Sequence, residues 1–213
     1  CIGNTSNTTT LTIGGSSADY PNISSAVTAL VNSGICGSVI FDINPIIGGY
    51  NEQVLIPTIA GTSDLSTITF RGNSVDSNSV KLTYNAGTNV DKFALKIDGA
   101  SYIRFENFTI AAYDTLYPSV IEISNNSNNI LFDKMVIKAT PLARQNAEVT
   151  SLLNVYGVND NLTIKNTHFF GGANSISANL SPTDSLNGLT IKNSFFNSFA
   201  FNGLNAYRVN NVN

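Results

Sequence analysis

The chain has 213 residues, 42% of them hydrophobic, with a formal net charge of −3. That is enough for one domain with a sizeable core. It offers no basic stripe for nucleic acid and no apolar run near the ~18 residues of a membrane span. Charged residues make up only 12%, about half the usual quarter, so solubility rests on Asn, Ser and Thr.

No signal peptide is visible, so any targeting segment lies outside these residues. The two cysteines, Cys1 and Cys36, cannot form a structural zinc site alone, and no metal or cofactor is expected. A Cys1–Cys36 disulfide would tie the N-terminal strand to the end of the first helix and suits an exported protein; two separate thiols are the alternative. The run IGGSS, Ile13 to Ser17, reads as a turn. No Lys-Ser/Thr follows, so it is not a phosphate loop.

A helix is predicted over about 22–33. Asn22 is an N-cap residue, Gly34 a stop, and Ile23, Ala26, Val27, Leu30 and Val31 share one face. Then come SVIFDI, YNEQVLI, STITFRG and VKLTYNAG, each with strand character.

From about 91 to 213 the sequence repeats. IRFENFTI, ILFDKMVI, LTIKNTHF and LTIKNSFF begin at Ile103, Ile130, Leu162 and Leu189, so their starts fall 27, 32 and 27 residues apart. Each alternates apolar and polar residues like a strand with one buried face. A second set, FALKID, VIEIS, LLNVY, SISAN and GLNAY, precedes them across Gly-, Asn- or Ser-rich corners. Each period reads strand, tight corner, strand and variable loop. A period in this range marks a solenoid, and strand periodicity makes it an all-β parallel β-helix, 1–213, in which the helix plugs the N-terminal end. Position five of the segments reads Asn107, Lys134, Asn166 and Asn193, which predicts an amide rung between Asn166 and Asn193. Lys96 with Glu122, and Asp133 with Lys165, are expected as exposed pairs between coils. His168 aligns with Thr109, Val136 and Phe195 and is expected in a row of stacked side chains. The final YRVNNVN reads like the start of another coil. The chain is therefore expected to be the N-terminal part of a longer solenoid, with further coils or another domain or chain covering that end.

The order TIGGSSADYPNISSAVTAL, GSVIFDINP, GGYNEQVLIP resembles the opening of pectin-lyase-like right-handed β-helix proteins. It looks closest to β-helix domains of large exported surface proteins of Bacteroidota. With its Gly-x-Tyr-x-Glu turn it is also similar to pectin methylesterases. The resemblance implies a right-handed helix. It also singles out Asp114-Thr115-Leu116-Tyr117, which matches the family's Gln-Asp-Thr-Leu-Tyr motif and its acid/base aspartate. The family's two glutamines fall on Asp91 and Tyr113, neither of which donates an amide N–H. One coil on, Asp133 is the only acid, in a different frame from the nucleophile motif Asp-Phe-Ile-Phe-Gly. Leu-Gly-Arg-Pro-Trp is missing from a chain with no Trp. An ester hydrolase needs nucleophile, oxyanion donors and acid/base together. A polysaccharide lyase needs a base and a positive group, for which Arg104 is the lone candidate.

Asp114-Thr115-Leu116 and Asp184-Ser185-Leu186 also resemble the O-glycosylation signal of exported Bacteroidota proteins, which makes Thr115 and Ser185 glycosylation candidates in loops expected to be exposed. Tyr50, Tyr102, Tyr113 and Tyr117 are candidates for sugar stacking if they line one face; burial is the alternative. The sequence reading is a secreted or cell-surface, non-catalytic module, an adhesin, stalk or glycan-binding segment. The alternative is an esterase or lyase completed by residues beyond Asn213.

Overall fold

The computed structural model describes residues 1–84, 93–113, 119–140 and 151–213. Successive coils stack in register and form a right-handed parallel β-helix of about six turns. Each complete coil contributes three strands, as in Ile103–Glu106, Thr109–Ala112 and Ile121–Ser124. These belong to three parallel sheets of eight, six and six strands among the described residues, here called the first, second and third sheets. Every strand pairs with its equivalent one coil away.

The coil therefore has one strand more than its sequence period suggested. IRFENFTI and its equivalents are not single strands. They bend at position five, where Asn107, Lys134, Asn166 and Asn193 have φ of 60°, 55°, 51° and 48°. Asn tolerates this left-handed conformation better than other chiral residues, so the asparagines make the corner between the first and second sheets. The expected rung also forms, at the long end of the range: Asn193 Nδ2 donates to Asn166 Oδ1 at 3.5 Å. One coil earlier the acceptor is a carboxylate, with Asn166 Nδ2 2.8 Å from Asp133 Oδ1.

The interior is a set of registered apolar columns. In the first sheet Phe41, Phe70, Phe105 and Phe132 occupy one position in successive coils. Their rings stack at 5.2, 5.7 and 5.2 Å with interplanar angles of 11–16°. All four are buried, and offset aromatic stacking adds to their burial.

The helix, Ile23–Ser33, packs on Val54–Pro57, the terminal strand of the third sheet. It buries Ile23, Ala26, Val27 and Leu30 and covers a sheet edge that would otherwise be unpaired. Val31 departs from expectation and is 46% exposed, since it lines an open groove between the helix and Val54–Pro57. Asn22 caps the helix by accepting from Ser25 N at 2.8 Å. Glu52 completes that end: its two oxygens accept from Ile23 N at 3.0 Å and Ser24 N at 2.9 Å, and the Ser24 hydroxyl also donates to it. A carboxylate here satisfies free N–H groups and faces the positive end of the helix. The Cys1 and Cys36 sulfurs are bonded, with the Cα atoms 5.6 Å apart. The bridge closes the loop that carries the helix.

Glu52→Ala should lower stability by about 1–3 kcal/mol, since it strips partners from two backbone donors. Denaturant unfolding would measure it. Glu106→Ala, on the outer face of the first sheet, should stay within about 0.5 kcal/mol.

Candidate functional site

Asp114, Thr115 and Tyr117, the core of the motif singled out by resemblance, lie outside the described residues, as does Asp91. Their described flank is informative. The strand Thr109–Ala112 pairs with Val136–Ala139, with Ala112 opposite Ala139. The place of Tyr113 is thus taken one coil on by Thr140, whose hydroxyl donates to Tyr113 O at 3.5 Å. Asp133 sits elsewhere. It ends a first-sheet strand opposite Glu106 and Lys165, and the second-sheet strand Val136–Ala139 separates it from the position after Ala139. Its carboxylate is held by Lys165 Nζ at 3.2 Å and by Asn166.

The third sheet carries a polar row that sequence reasoning missed. Lys96, Glu122, Asn154, Ser177 and Asn205 are successive Cα partners on its outer side. Glu122 was expected to be exposed beside Lys96. The register is as expected, but Glu122 is 7% exposed, and Asn154 and Ser177 are also buried. Lys96 Nζ lies 5.9 Å from the Phe93 ring centroid. Asn154 Nδ2 donates to the buried Ser119 hydroxyl at 3.0 Å. Burial pushes the nearby Tyr156 phenol up to about 12, with the Glu122 charge adding to the effect. Strand alternation shows which side chains point outward but not what covers them. The run of uncharged polar residues at Asn154, Ser177 and Asn205 was the available signal.

Among the described residues, Tyr50, Tyr102 and Tyr113 do not line one face. Tyr50 is a correction to the stacking set: it is 3% exposed, and its hydroxyl donates to Asn44 O at 2.7 Å and contacts Ile13 O at 3.2 Å. A Cβ on Gly14 would stand 1.9 Å from that hydroxyl, so the IGGSS turn leaves room for Tyr50. Tyr113 is 44% exposed at the end of the second sheet, and Tyr102 stands before the first sheet. Ser185 is another correction. It is not in a free loop but opens the strand Ser185–Lys192 opposite Val158, and Leu186 beside it is 1% exposed. His168 stacks between Val136 and Phe195 in the second sheet, its ring 5.1 Å from that of Phe195.

The groove of clearest geometry lies on the outer face of the first sheet. It encloses about 500 Å³, within the range of ligand sites. Asp64 and Thr67 line one end, Tyr102 and Arg104 the middle, and Asn129, Asn161, Thr163 and Lys165 the rest. It thus crosses four coils. Among the described residues no group of three or more His, Cys, Asp or Glu is placed to hold a metal, and no helix is long and apolar enough to cross a membrane.

No protein-family model matches the chain, and comparison with curated sequences finds no relative. By structure it is similar to Escherichia coli YbhC, at 12% identity over 90% of this chain and 72% of that one, with a TM-score of 0.45. It is also similar to the Aspergillus niger pectin methylesterase in penultimately deglycosylated form, at 14% identity over 91% and 85% of the two chains, TM-score 0.38. The deglycosylated form of that enzyme gives 13% identity over 92% and 85%, TM-score 0.39. These are likenesses of fold.

Burial pushes Tyr50 and Tyr156 up from 10.0 to about 12. A phenol with a raised folded pKa favours the fold fully below its unfolded pKa and loses that contribution as pH rises through the folded one. An ultraviolet titration should therefore show a late tyrosinate class near pH 12, absent from a Tyr50→Phe, Tyr156→Phe double variant. Stability should fall between about pH 10 and 12.

Proposed function

We propose that this chain is a non-catalytic, glycan-binding module of a secreted or cell-surface protein. The observation that carries this reading is the use already made of its carboxylates. Glu52 caps the helix. Asp42 holds Arg71 in a two-point ion pair at 2.8 and 3.1 Å. Asp98 accepts from Ser124 and Asn125, and Asp160 from Asn187. Asp133 is bound by Lys165 and Asn166. These groups hold coil to coil or helix to coil, so they serve architecture rather than acid/base chemistry. What faces outward on the first sheet is a groove of hydroxyls, amides, one tyrosine, two cations and the Asp64 carboxylate, a surface of the kind that holds sugars.

The Cys1–Cys36 bond supports an oxidising compartment. Thr115 is the better sugar-attachment candidate, since the Ser185 backbone is engaged by neighbouring coils. The open edge formed by Phe195–Asn197, Asn202–Tyr207 and Val209–Val212 carries exposed Phe195, Leu204, Tyr207 and Val212. Such an edge favours further parallel coils or another chain as its partner.

The test is paired. Purified protein should retard in gels containing soluble polysaccharide and release no methanol from methyl-esterified pectin above the buffer rate. Methanol release that disappears in Asp114→Asn would overturn the non-catalytic reading. Native protein should also weigh more than the bare chain, and Thr115→Ala should remove the excess; equal masses would dismiss the modification.

A further inference from the structure

We propose that Asn187 is a self-modifying site. Its side-chain amide is lost to attack by the Gly188 backbone nitrogen when the coil opens, and its bonds to the neighbouring coils hold that reaction back. The reaction is a deamidation with water as its only co-reactant. It is independent of the glycan-binding reading.

The first observation is a dipeptide placed at a corner. From Ser101 onward, a polar residue and then a residue in the left-handed region lead into each first-sheet ladder. In register the pairs are Ser101–Tyr102, Asn128–Asn129, Asp160–Asn161, Asn187–Gly188 and Asn210–Asn211. The second members have φ of 60°, 56°, 57°, 82° and 54°. Three of them are asparagine, one is tyrosine and only residue 188 is glycine. Asn187 is therefore the one amide in this column followed by a nitrogen whose residue carries no side chain to hinder ring closure. In the attack, Gly188 N bonds to Asn187 Cγ and gives up its proton, and the side-chain nitrogen leaves as ammonia. Water then opens the five-membered imide at either carbonyl. The products are aspartate, or isoaspartate, in which the main chain runs through the former side-chain carboxyl.

The second observation is how firmly the folded coil holds this amide. Asn187 Nδ2 donates to Asp160 Oδ1 at 2.9 Å, and Asn187 Oδ1 accepts from Asn210 Nδ2 at 2.8 Å. The amide cannot swing toward Gly188 N while both rungs stand. In the equivalent places the backbone N–H is itself engaged: Tyr102 N donates to Asn128 O and Asn129 N to Asp160 O, both at 2.9 Å. Reaction therefore needs local opening, and its rate follows the population of the open form. The chain has a second such dipeptide, Asn202–Gly203. Asn202 is exposed, its Nδ2 lies 3.1 Å from Asn174 Oδ1, and Gly203 continues a strand rather than turning a corner. Asn202 is thus a reference site with the same chemistry and a looser hold.

Neither product fits position 187. Aspartate would set a carboxylate where Asn187 now donates to Asp160, two like charges one strand spacing apart, about 4.8 Å. Isoaspartate adds a main-chain atom between Asp160's partner and Leu162's partner, Asn187 and Leu189. The strand could then keep register on one side of the corner but not on both. Opening followed by reaction is a one-way step.

Peptide mapping by mass spectrometry would follow both sites over time at neutral pH, in native buffer and in urea. In urea the two sites should react at similar rates. In native buffer Asn187 should react about tenfold or more below its rate in urea, and more slowly than Asn202. Asn210→Ala removes one rung and should speed Asn187 several-fold in native buffer while leaving its rate in urea unchanged. Gly188→Asn, the residue three other coils use at this corner, should slow Asn187 in urea. Asn187→Asp should lower the melting temperature at neutral pH. Its difference from wild type should shrink on acidification through the carboxylate range, where one of the facing charges is removed. Equal rates in native buffer and in urea, or no effect of Asn210→Ala, would overturn the gating. No reaction at Asn187 in urea while Asn202 reacts would remove the site altogether. An Asn187→Asp protein that melts as wild type would overturn the one-way step.

Discussion

Every coil must turn where its neighbours turn. Parallel pairing locks each strand to the strand one coil away, so a corner cannot drift along the chain without breaking ladders on both sides. From Asn107 onward the coils use left-handed backbone at two aligned corners, whereas the coil before turns at Thr67 and Gly72 without it. That conformation selects asparagine and glycine at Asn107, Asn166 and Asn193 on one side and Asn129, Asn161 and Gly188 on the other. Once the corners are fixed, inward positions align automatically. The phenylalanine column from Phe41 to Phe132 is a consequence of register.

The low charge follows from the same constraint. Identical positions stack about 4.8 Å apart, so a charged column would repel itself, whereas an amide column hydrogen-bonds to itself. Asn210 donates to Asn187 at 2.8 Å and Asn187 to Asp160 at 2.9 Å. Asn202 donates to Asn174 at 3.1 Å and Asn73 to Asn44 at 2.9 Å. Each rung contributes about 0.5–1.5 kcal/mol net, but the rungs are numerous and specify register as well as stability. Where charge does appear, opposite signs meet between some coils, Asp42 with Arg71 and Asp133 with Lys165, while Glu106 faces Asp133 and Lys165 faces Lys192.

Much of this was legible in the residues. The repeat period, the parallel pairing of Asp133 with Lys165 and the capped helix follow from patterns that physics constrains locally. The third strand per coil was not, because a one-residue corner leaves apolar alternation almost unbroken across Asn107, and only φ distinguishes a bend from a continuous strand. Glu122, Tyr50 and Val31 were misplaced for a related reason. Their exposure depends on what packs over them from distant parts of the chain. Tyr50 and Glu52 are the clearest instance. A Gly-x-Tyr-x-Glu turn that resembles a family signature serves here as a clasp, with the tyrosine hydroxyl on Asn44 and Ile13 and the glutamate on the helix N-terminus.

A solenoid built on register has little freedom to create a site. Inward positions belong to the core, and changing a corner residue costs backbone strain. Outward positions of the strands are what remain, and on the third sheet Glu122, Asn154 and Ser177 are already buried. The second sheet spends its outer positions on contacts such as those of Thr109 with Ser77 and His168 with Phe195. Among the described residues, the first sheet's outer face carries a groove lined by Tyr102 and Arg104, and neither of the two ion pairs involves Arg104. On that face Tyr102 holds φ of 60° at a register position where the four coils that follow place Asn129, Asn161, Gly188 and Asn211, so the corner there is set by the backbone rather than by the residue type that suits it best.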